Sequence, residues 1–380
     1  MIISKKIHLF IVASLICLLF CYVLFRFIQN EEANMPVPID TDNAVPTFSP
    51  EQKIAQLLII SIRLTNEKTP VLNDNQTKSL SDIQPGFIVL YGSKLSMKTV
   101  KKTTLLISQV NTPIPIAITV DHEGGVVQRL SGEGFTKLRP WSELCQIDSE
   151  KRREIFQKSA DEIKEAGIDL ILGPVIDFSP NASTILQNRI CSADEEILFK
   201  STTEILDIYT KTGIMSTLKH FPGIADLDVD LHYNYASIPH NTEHIALFKK
   251  ILNIYPNIAV MTSHAGLEST NIPCSLDPQC VDLLSAYPDV LFITDDINMI
   301  SAYAEVPSQS LAELAKESIL AHNTIILLGP DVSFDEVKQV IHELREEYKN
   351  NKQFETAVDN AFIKIHNWKQ QHKFNQYHEG

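Results

Sequence analysis

This sequence is short of positive charge and lacks two patterns that mark other classes of protein. Its 33 Lys and Arg residues stand against 47 Asp and Glu residues, a formal net charge of -14. No basic stripe is present, so binding to a nucleic-acid backbone is not expected. No Gly-x-Gly-x-x-Gly turn follows the first apolar strand, which argues against a dinucleotide-binding domain. The chain also contains no internal repeat.

The composition that remains is that of a folded protein. Of the 380 residues, 44% are hydrophobic and 21% are charged. These values are ordinary for a soluble globular domain and exclude a largely disordered chain. The length suits one large α/β domain or two smaller ones.

The N-terminus contains one long apolar run, from Ile7 to Phe25, which Lys5 and Lys6 precede. A run of this length crosses a bilayer as a single helix. We therefore predict a transmembrane helix that anchors the protein in a membrane, with the folded domain outside the cytoplasm, periplasmic or at the cell surface. The alternative is a signal peptide, whose cleavage would leave the protein secreted. Both interpretations predict export.

The domain boundaries follow from changes in composition along the chain. Residues 1–30 form the anchor or signal segment, and residues 31–49 contain prolines without an apolar period, which is typical of a linker. Residues 50–370 form the folded domain, and residues 371–380 form a tail.

Four cysteines lie in the part of the chain that is predicted to be exported: Cys145, Cys191, Cys274 and Cys280. Cys274 and Cys280 are close enough in sequence to close a small loop, but unpaired thiols near the core fit the sequence equally well.

Short apolar runs alternate with amphipathic segments throughout the folded domain. The predicted strands are Ile54–Ile60, Gly86–Tyr91, Ile114–Val120, Leu170–Ile176, Ile214–Leu218, Ile258–Thr262, Val290–Ile293 and Thr324–Leu328. The predicted helices include Lys151–Ala166, Ala193–Thr212, His244–Ile254, Ser310–Ala321 and Phe354–Gln371. Strands that are apolar on both faces and separated by helices indicate a parallel sheet. Eight of them in about 280 residues favour a single closed (β/α)8 barrel of the TIM type, with an open sheet as the alternative.

Distinctive polar residues follow five of the predicted strands: Asp121-His122-Glu123, Asp177, Lys219-His220, Ser263-His264 and Asp295-Asp296. In barrels of this type, the C-terminal ends of the strands form the active site. A ring of polar side chains at this end is suited to bind a sugar.

A carboxylate and an Asp-x-His pair supply the reactive groups that a retaining glycosidase requires. Asp295 lies where the seventh strand meets solvent, and Asp296 is the better candidate to cap the helix that follows. Asp230 is placed to orient the imidazole of His232 for proton transfer near neutral pH. The alternatives are a solvated acidic loop or a calcium loop, and the second is rejected because Leu231 occupies the position where such loops need glycine.

Five further residues are candidates for contacts with a sugar because they lie near the ends of the predicted strands: Asp121, Arg129, Arg189, Lys219 and His220. Taken singly, each is more often a structural residue that forms a salt bridge or a hydrogen bond.

Three ordered blocks together resemble glycoside hydrolase family 3, specifically its bacterial β-N-acetylglucosaminidases (β-N-acetylhexosaminidases). The resemblance covers roughly Ser49 to Trp368. The blocks are Val120-Asp121-His122-Glu123-Gly124-Gly125 continuing to Phe135, Lys219 to Gly223 with Asp230-x-His232, and Ile293 to Met299.

This resemblance implies a one-domain (β/α)8 barrel and a double-displacement reaction that retains the anomeric configuration, without a cofactor or metal ion. The implied substrate is a terminal N-acetyl-β-glucosaminide from cell-wall glycan (peptidoglycan) or related sugars. The implied roles are Asp295 as nucleophile, His232 as acid/base with Asp230 as its partner, and Asp121, Arg129, Arg189, Lys219 and His220 as ligands of the N-acetylhexosamine.

The chain departs from the pattern of this branch at three places. Val126 stands where an arginine is usual, Ile224-Ala225 replaces His-Gly, and Leu231 replaces a small serine. Two alternatives therefore stay open. One is a membrane-anchored sugar-binding protein with weakened catalysis, and the other is a family member that acts on another β-glycoside or transfers the sugar to phosphate.

Overall fold

The computed structural model describes residues 48–65, 72–179, 186–227, 229–231, 234–238, 242–302 and 309–372. The predicted anchor, almost all of the predicted linker and most of the predicted tail lie outside these ranges, as does His232. The proposed domain boundaries therefore stay a prediction.

Eleven strands are present in the described residues: β1 (Leu58–Arg63), β2 (Phe87–Tyr91), β3 (Ala117–Gly124), β4 (Val127–Gln128), β5 (Leu170–Leu172), β6 (Met215–Phe221), β7 (Ser237–Ile238), β8 (Ala259–Thr262), β9 (Gly266–Leu267), β10 (Leu291–Thr294) and β11 (Ile326–Leu327). Eight of them pair in parallel in the spatial order β10-β8-β6-β5-β3-β2-β1-β11. A parallel bridge between Ile293 and Ile325 joins the two ends of this order, so the barrel is nearly closed.

Helices follow most of the barrel strands in the sequence. Their bounds are α1 (Pro50–Gln56), α2 (Asp74–Ile83), α3 (Met97–Ser108), α4 (Trp141–Leu144), α5 (Ser149–Glu165), α6 (Glu195–Thr212), α7 (Thr242–Leu252), α8 (Pro278–Val281), α9 (Leu311–Leu320), α10 (Phe334–Asn350) and α11 (Lys352–His372). Short 3-10 helices span Gln187–Arg189, Cys274–Leu276, Asp282–Leu284 and Ile297–Ala302.

The predicted fold class, which combined a TIM-type barrel with a preceding transmembrane helix, needs correction. Across the described ranges, no helix is long and apolar enough to cross a membrane. The longest of them, α11, has 21 residues but carries charges such as Lys352, Glu355 and Asp359 along its length. The apolar run predicted to span the bilayer lies outside the described residues.

The first predicted strand is displaced towards the N-terminus relative to the observed β1. Ser49 accepts a hydrogen bond from the amide of Gln52, whose side chain accepts one from the amide of Ser49, and Pro50 occupies the first helical turn. This capping box starts helix α1, so Ile54 lies in a helix rather than in the strand.

The third strand is longer than predicted, and this difference shapes the candidate site. Strand β3 continues to Gly124 and therefore includes Asp121 and Glu123. Strand β6 likewise includes Lys219 and His220, and all seven of its residues are buried. Four polar residues of the rim, Asp121, Glu123, Lys219 and His220, thus lie on the strands themselves.

A buried lysine joins the last helix to the N-terminal ends of three strands. The ammonium group of Lys369 donates hydrogen bonds to Gln56 Oε1 at 2.9 Å, to the Gly86 carbonyl at 2.6 Å and to the Pro115 carbonyl at 2.8 Å. It also lies 4.8 Å from the centroid of the Phe87 ring. These contacts attach α11 to the end of the barrel opposite the candidate site.

We predict that Lys369→Met destabilises the fold, because it removes the donor of three hydrogen bonds that attach α11 to the N-terminal ends of the strands. The free energy of unfolding should fall by about 3 kcal/mol, as measured by urea denaturation. The matched control is Lys338→Met on the exposed side of α10. Equal stability of the two variants would show that Lys369 does not hold α11 in place.

Candidate active site

A cavity of about 650 Å³ lies at the C-terminal ends of the barrel strands. It is lined by seven of the eight residues that the sequence analysis selected: Asp121, Arg129, Arg189, Lys219, His220, Asp230 and Asp295. The eighth, His232, is outside the described residues. The structure therefore brings the seven together in one place, whereas their individual roles stay predictions.

A buried ion network forms the floor of this cavity. The Lys219 ammonium lies 2.5 Å from Glu123 Oε1 and 3.3 Å from Asp121 Oδ1. Arg189 donates two hydrogen bonds to the same Glu123 carboxylate, from Nε at 2.8 Å and from Nη2 at 3.0 Å. This paired geometry fixes the plane of the guanidinium group. Strand β3, strand β6 and the loop after β5 are thereby joined at one point.

The network keeps its members charged despite their burial. Burial raises the pKa of Glu123, but Lys219 and Arg189 together outweigh it and lower that pKa to about 2. Burial lowers the pKa of Lys219, but the carboxylates of Glu123 and Asp121 outweigh it and leave that pKa above its ordinary value. At neutral pH, fixed positive charges therefore border the cavity.

His220 is held in one orientation by a buried carboxylate. Its Nδ1 lies 2.8 Å from Asp177 Oδ2, and its backbone amide donates to the same oxygen at 3.0 Å. Asp177 Oδ1 accepts a hydrogen bond from the amide of Ile224 at 2.7 Å. Because an ionised carboxylate only accepts, Nδ1 carries the proton. Nε2 then accepts from Arg189 Nη2 at 3.3 Å.

Asp295 lies directly after β10, and its carboxylate faces the cavity. The Asp295 amide donates to the Thr262 carbonyl at 2.9 Å, and its Oδ1 accepts from the Asp296 amide at 2.9 Å. Burial raises the pKa of Asp295, but the imidazoles of His264 and His220 and the hydrogen bond from that amide together lower it below the ordinary value. Asp295 is therefore an ionised carboxylate at neutral pH, as a nucleophile must be.

Asp296 has the capping role that the sequence predicted for it. Its Oδ1 accepts a hydrogen bond from the amide of Asn298 at 2.9 Å, at the start of the 3-10 helix that follows. Gly329 leaves room for the Asp296 side chain, since a Cβ at that position would clash with Asp296 Oδ2. This division of roles leaves Asp295 directed into the cavity.

Arg129 lies at a more open part of the cavity than Lys219 does. Its Nη2 lies 3.4 Å from Asp121 Oδ2, and about a third of its side chain is exposed. The guanidinium carbon lies 5.5 Å from the centroid of the Tyr91 ring, a cation–π contact. Asp121 is therefore positioned between two cations, Lys219 below it and Arg129 at the rim.

Sequence reasoning missed the structural roles of four residues near the site. Glu123 was noted only as a polar residue that follows a strand, yet it is the shared counter-ion of the network. Asp177 and His264 were noted as polar residues that follow strands, but their partners were not predicted. No sequence pattern indicated a role for Tyr91, which lies at the end of β2.

The part of the chain that the structure describes contains two disulfides, and the first lies beside Arg189. Cys145, directly after α4, is bonded to Cys191, which stands two residues after Arg189. Leu186, Ile190 and Ala225 form an apolar cluster along the same segment. The segment that carries Arg189 is therefore held by a covalent bond and by packing.

The second disulfide lies on the side of Asp295. Cys274 and Cys280 are bonded, and Oγ of Ser275 between them forms a hydrogen bond with Nδ1 of His264 at 2.7 Å. His264 in turn donates from Nε2 to the Asp296 carbonyl at 2.8 Å. This chain of contacts links the small disulfide loop to the turn that carries the candidate nucleophile.

The N-terminal domain of glycosyl hydrolase family 3 matches residues 49–367 of this chain. The chain belongs to glycosyl hydrolase family 3. The match spans the whole barrel and confirms the resemblance that the three sequence blocks indicated.

Named relatives and solved structures agree with this family. The Beta-hexosaminidase of Thiobacillus denitrificans is 31% identical over 173 residues, which are 42% of this chain and 47% of that protein. The Beta-hexosaminidase of Hydrogenovibrio crunogenus is 25% identical over 311 residues, 76% of this chain and 84% of that one. This chain thus spans about half the length of the first relative and most of the second.

The crystal structure of the β-N-acetylhexosaminidase from Beutenbergia cavernae superposes with a TM-score of 0.72 at 21% identity, covering 84% of this chain and 98% of the other. At this identity the likeness shows that the two proteins share a fold.

We predict that Glu123→Gln lowers the free energy of unfolding by about 3 kcal/mol at pH 6, because it removes the shared counter-ion. The folded-state pKa of about 2 lies below the ordinary value of 4.5, so this stabilisation is present above pH 4.5 and is lost as the pH falls towards 2. Denaturant unfolding should show the difference from wild type shrinking to about half at pH 3.

The control for this measurement is Glu133→Gln, the same change at an exposed position in the turn after β4. The charged network would be contradicted if the difference in the free energy of unfolding between Glu123→Gln and wild type stayed constant from pH 6 to pH 3.

Proposed function

We propose that the protein is a retaining β-N-acetylhexosaminidase that releases terminal N-acetyl-β-glucosaminyl residues. The observation that carries this proposal is the position of the ionised Asp295 in one cavity with Asp230 and with a fixed set of cationic and hydrogen-bonding groups. The names of the relatives in the same family support the choice of an aminosugar substrate.

The polar side of the cavity is suited to hold the sugar. A pyranose ring offers hydroxyl groups that both donate and accept hydrogen bonds, and charged partners make the stronger bonds. Cations and carboxylates alternate around the cavity, so one hydroxyl of the sugar would contact a hydrogen-bond donor and its neighbour would contact an acceptor. The residues that we assign to the N-acetylhexosamine are Asp121, Arg129, Arg189, Lys219 and His220.

In the first step, a carboxylate oxygen of Asp295 attacks the anomeric carbon, and the bond from that carbon to the aglycone oxygen breaks. The leaving oxygen takes a proton from His232, which the sequence pairs with Asp230. Asp295 and the sugar are then joined as a glycosyl-enzyme, with the anomeric configuration inverted once.

In the second step, water attacks the anomeric carbon and displaces the Asp295 carboxylate. The water gives a proton to His232, which returns to its starting state. The second inversion restores the original configuration, so the released sugar is the β-anomer. A histidine as acid/base suits both steps because its ordinary pKa lies near neutral pH.

We further propose that the enzyme works outside the cytoplasm on N-acetylglucosamine-containing sugars such as wall glycan. Both disulfides support this location, because such bonds form and persist in oxidising compartments.

We predict that Asp295→Ala lowers kcat for 4-nitrophenyl N-acetyl-β-glucosaminide by about 10⁴-fold, because no glycosyl-enzyme can form. Circular dichroism should show an unchanged fold. The matched control is Asp335→Ala on the exposed start of α10, which should keep wild-type kcat. Near-normal activity of Asp295→Ala would refute the assigned nucleophile, and binding without hydrolysis by the wild type would favour the sugar-binding alternative.

We predict that the two disulfides affect different kinetic constants. Replacing Cys145 and Cys191 by serine frees the segment of Arg189, so KM should rise about tenfold while kcat stays within about twofold. Replacing Cys274 and Cys280 by serine loosens the turn at Asp295, so kcat should fall instead. Steady-state kinetics of the two double variants make this comparison. If the two double variants changed KM and kcat in the same way, the disulfides would only stabilise the fold.

A further inference from the structure

One side of the active-site cavity is aliphatic. Five of the side chains that line it form what we call the apolar wall: Leu186, Ile224, Leu227, Val229 and Leu231. Within the described lining of the cavity, Tyr91 is the single aromatic residue, and it contacts Arg129 rather than the apolar wall.

Packing and a hydrogen bond fix two members of the apolar wall, Leu186 and Ile224. Leu186 packs with Ile190 and Ala225, and Ile224 packs against this cluster. The amide of Ile224 donates to the buried Asp177 carboxylate at 2.7 Å. Leu186 is almost fully buried, so the wall continues the protein interior up to the surface of the cavity. An apolar surface that is already ordered binds a ligand without an added ordering cost.

The position of the apolar wall relative to the reactive groups identifies what it contacts. Val229 and Leu231 stand on either side of Asp230 in the sequence, and all three line the cavity. In the reaction proposed above, the group attached to the leaving oxygen lies beside the acid/base pair. The sugar ring lies instead against the polar residues around Lys219. Val229 and Leu231, two members of the apolar wall, therefore border the part of the cavity proposed to hold the aglycone.

The chemistry of the apolar wall selects among possible aglycones. A second sugar needs hydrogen-bond partners for its hydroxyls, and its apolar face usually lies on an aromatic ring. Leucine, isoleucine and valine side chains offer neither kind of contact. They stabilise methylene groups, each of which gains free energy when it leaves water.

We propose that this part of the cavity is a subsite for an aliphatic aglycone. The preferred substrates are then N-acetyl-β-hexosaminides of alkyl or lipid-like alcohols rather than of a second sugar. This inference rests on the proposed function for the identity of the sugar, but the binding of an alkyl group can be tested without turnover.

The test compares methyl and hexyl N-acetyl-β-glucosaminides, whose leaving alcohols have similar basicity, so that the chemical step is matched. Asp295→Asn should bind both without hydrolysing them, and calorimetry should give at least a tenfold lower Kd for the hexyl glycoside. A tenfold ratio corresponds to burying about two methylene groups. In the wild type, kcat/KM should favour the hexyl over the methyl glycoside and over N,N′-diacetylchitobiose.

Substitutions in the apolar wall should change this preference. In Leu231→Ser, the methyl-to-hexyl ratio of Kd and the hexyl-to-methyl ratio of kcat/KM should both fall to about one third of their wild-type size or less. Leu231→Met, which keeps the side chain apolar, should preserve the ratio. The matched control is Leu105→Ser on the exposed face of α3, outside the cavity, and it should also preserve the ratio.

The outcomes separate this inference from the proposed function. Equal Kd values for methyl and hexyl glycosides, or faster hydrolysis of the chitobiose, would overturn the aliphatic subsite while leaving the glycosidase intact. Failure of the wild type to hydrolyse any of the three would overturn the proposed function. Without hydrolysis, the Kd values still test the subsite. A tenfold methyl-to-hexyl Kd ratio that Leu231→Ser reduces would support the subsite, and a ratio near one would overturn it.

Discussion

The candidate site depends on a buried carboxylate that two cations share. Glu123 lies between Lys219 and Arg189, and each of the three would be costly to bury alone. Their mutual contacts force the ends of β3 and β6 and the loop after β5 to meet at one point. Part of the folding free energy thus holds these three charged groups in a fixed geometry at the floor of the cavity. The same groups in water would not keep that geometry.

The same arrangement prepares the reactive group. Asp177 orients the imidazole of His220, and the imidazoles of His220 and His264 help keep Asp295 ionised. The residues proposed to hold the sugar therefore also set the charge state of the proposed nucleophile. This coupling explains why binding residues and reactive residues lie on neighbouring strand ends, since an electrostatic effect of this kind weakens with distance.

Features with local causes could be predicted from the sequence. The capping role of Asp296 was predicted correctly because helix capping involves only nearby residues, whereas the role of Asp295 stays a prediction. The start of β1 was wrong because the capping box at Ser49 overrides the apolar character of Ile54. The role of Glu123 could not be predicted, since its partner Arg189 is 66 positions away and the pairing exists only once the barrel has formed. The role of His232 stays a prediction from the sequence.

The central claim is that Asp295 forms a covalent bond with the sugar. The most direct measurement uses an activated 5-fluoro N-acetylglucosaminyl fluoride, which slows the breakdown of a glycosyl-enzyme. After proteolysis, tandem mass spectrometry should find one sugar on the peptide that contains Asp295, with the fragment ions placing it on that residue. A label on Asp296 or on a residue outside the cavity would contradict the account, as would turnover of the reagent without any labelled peptide.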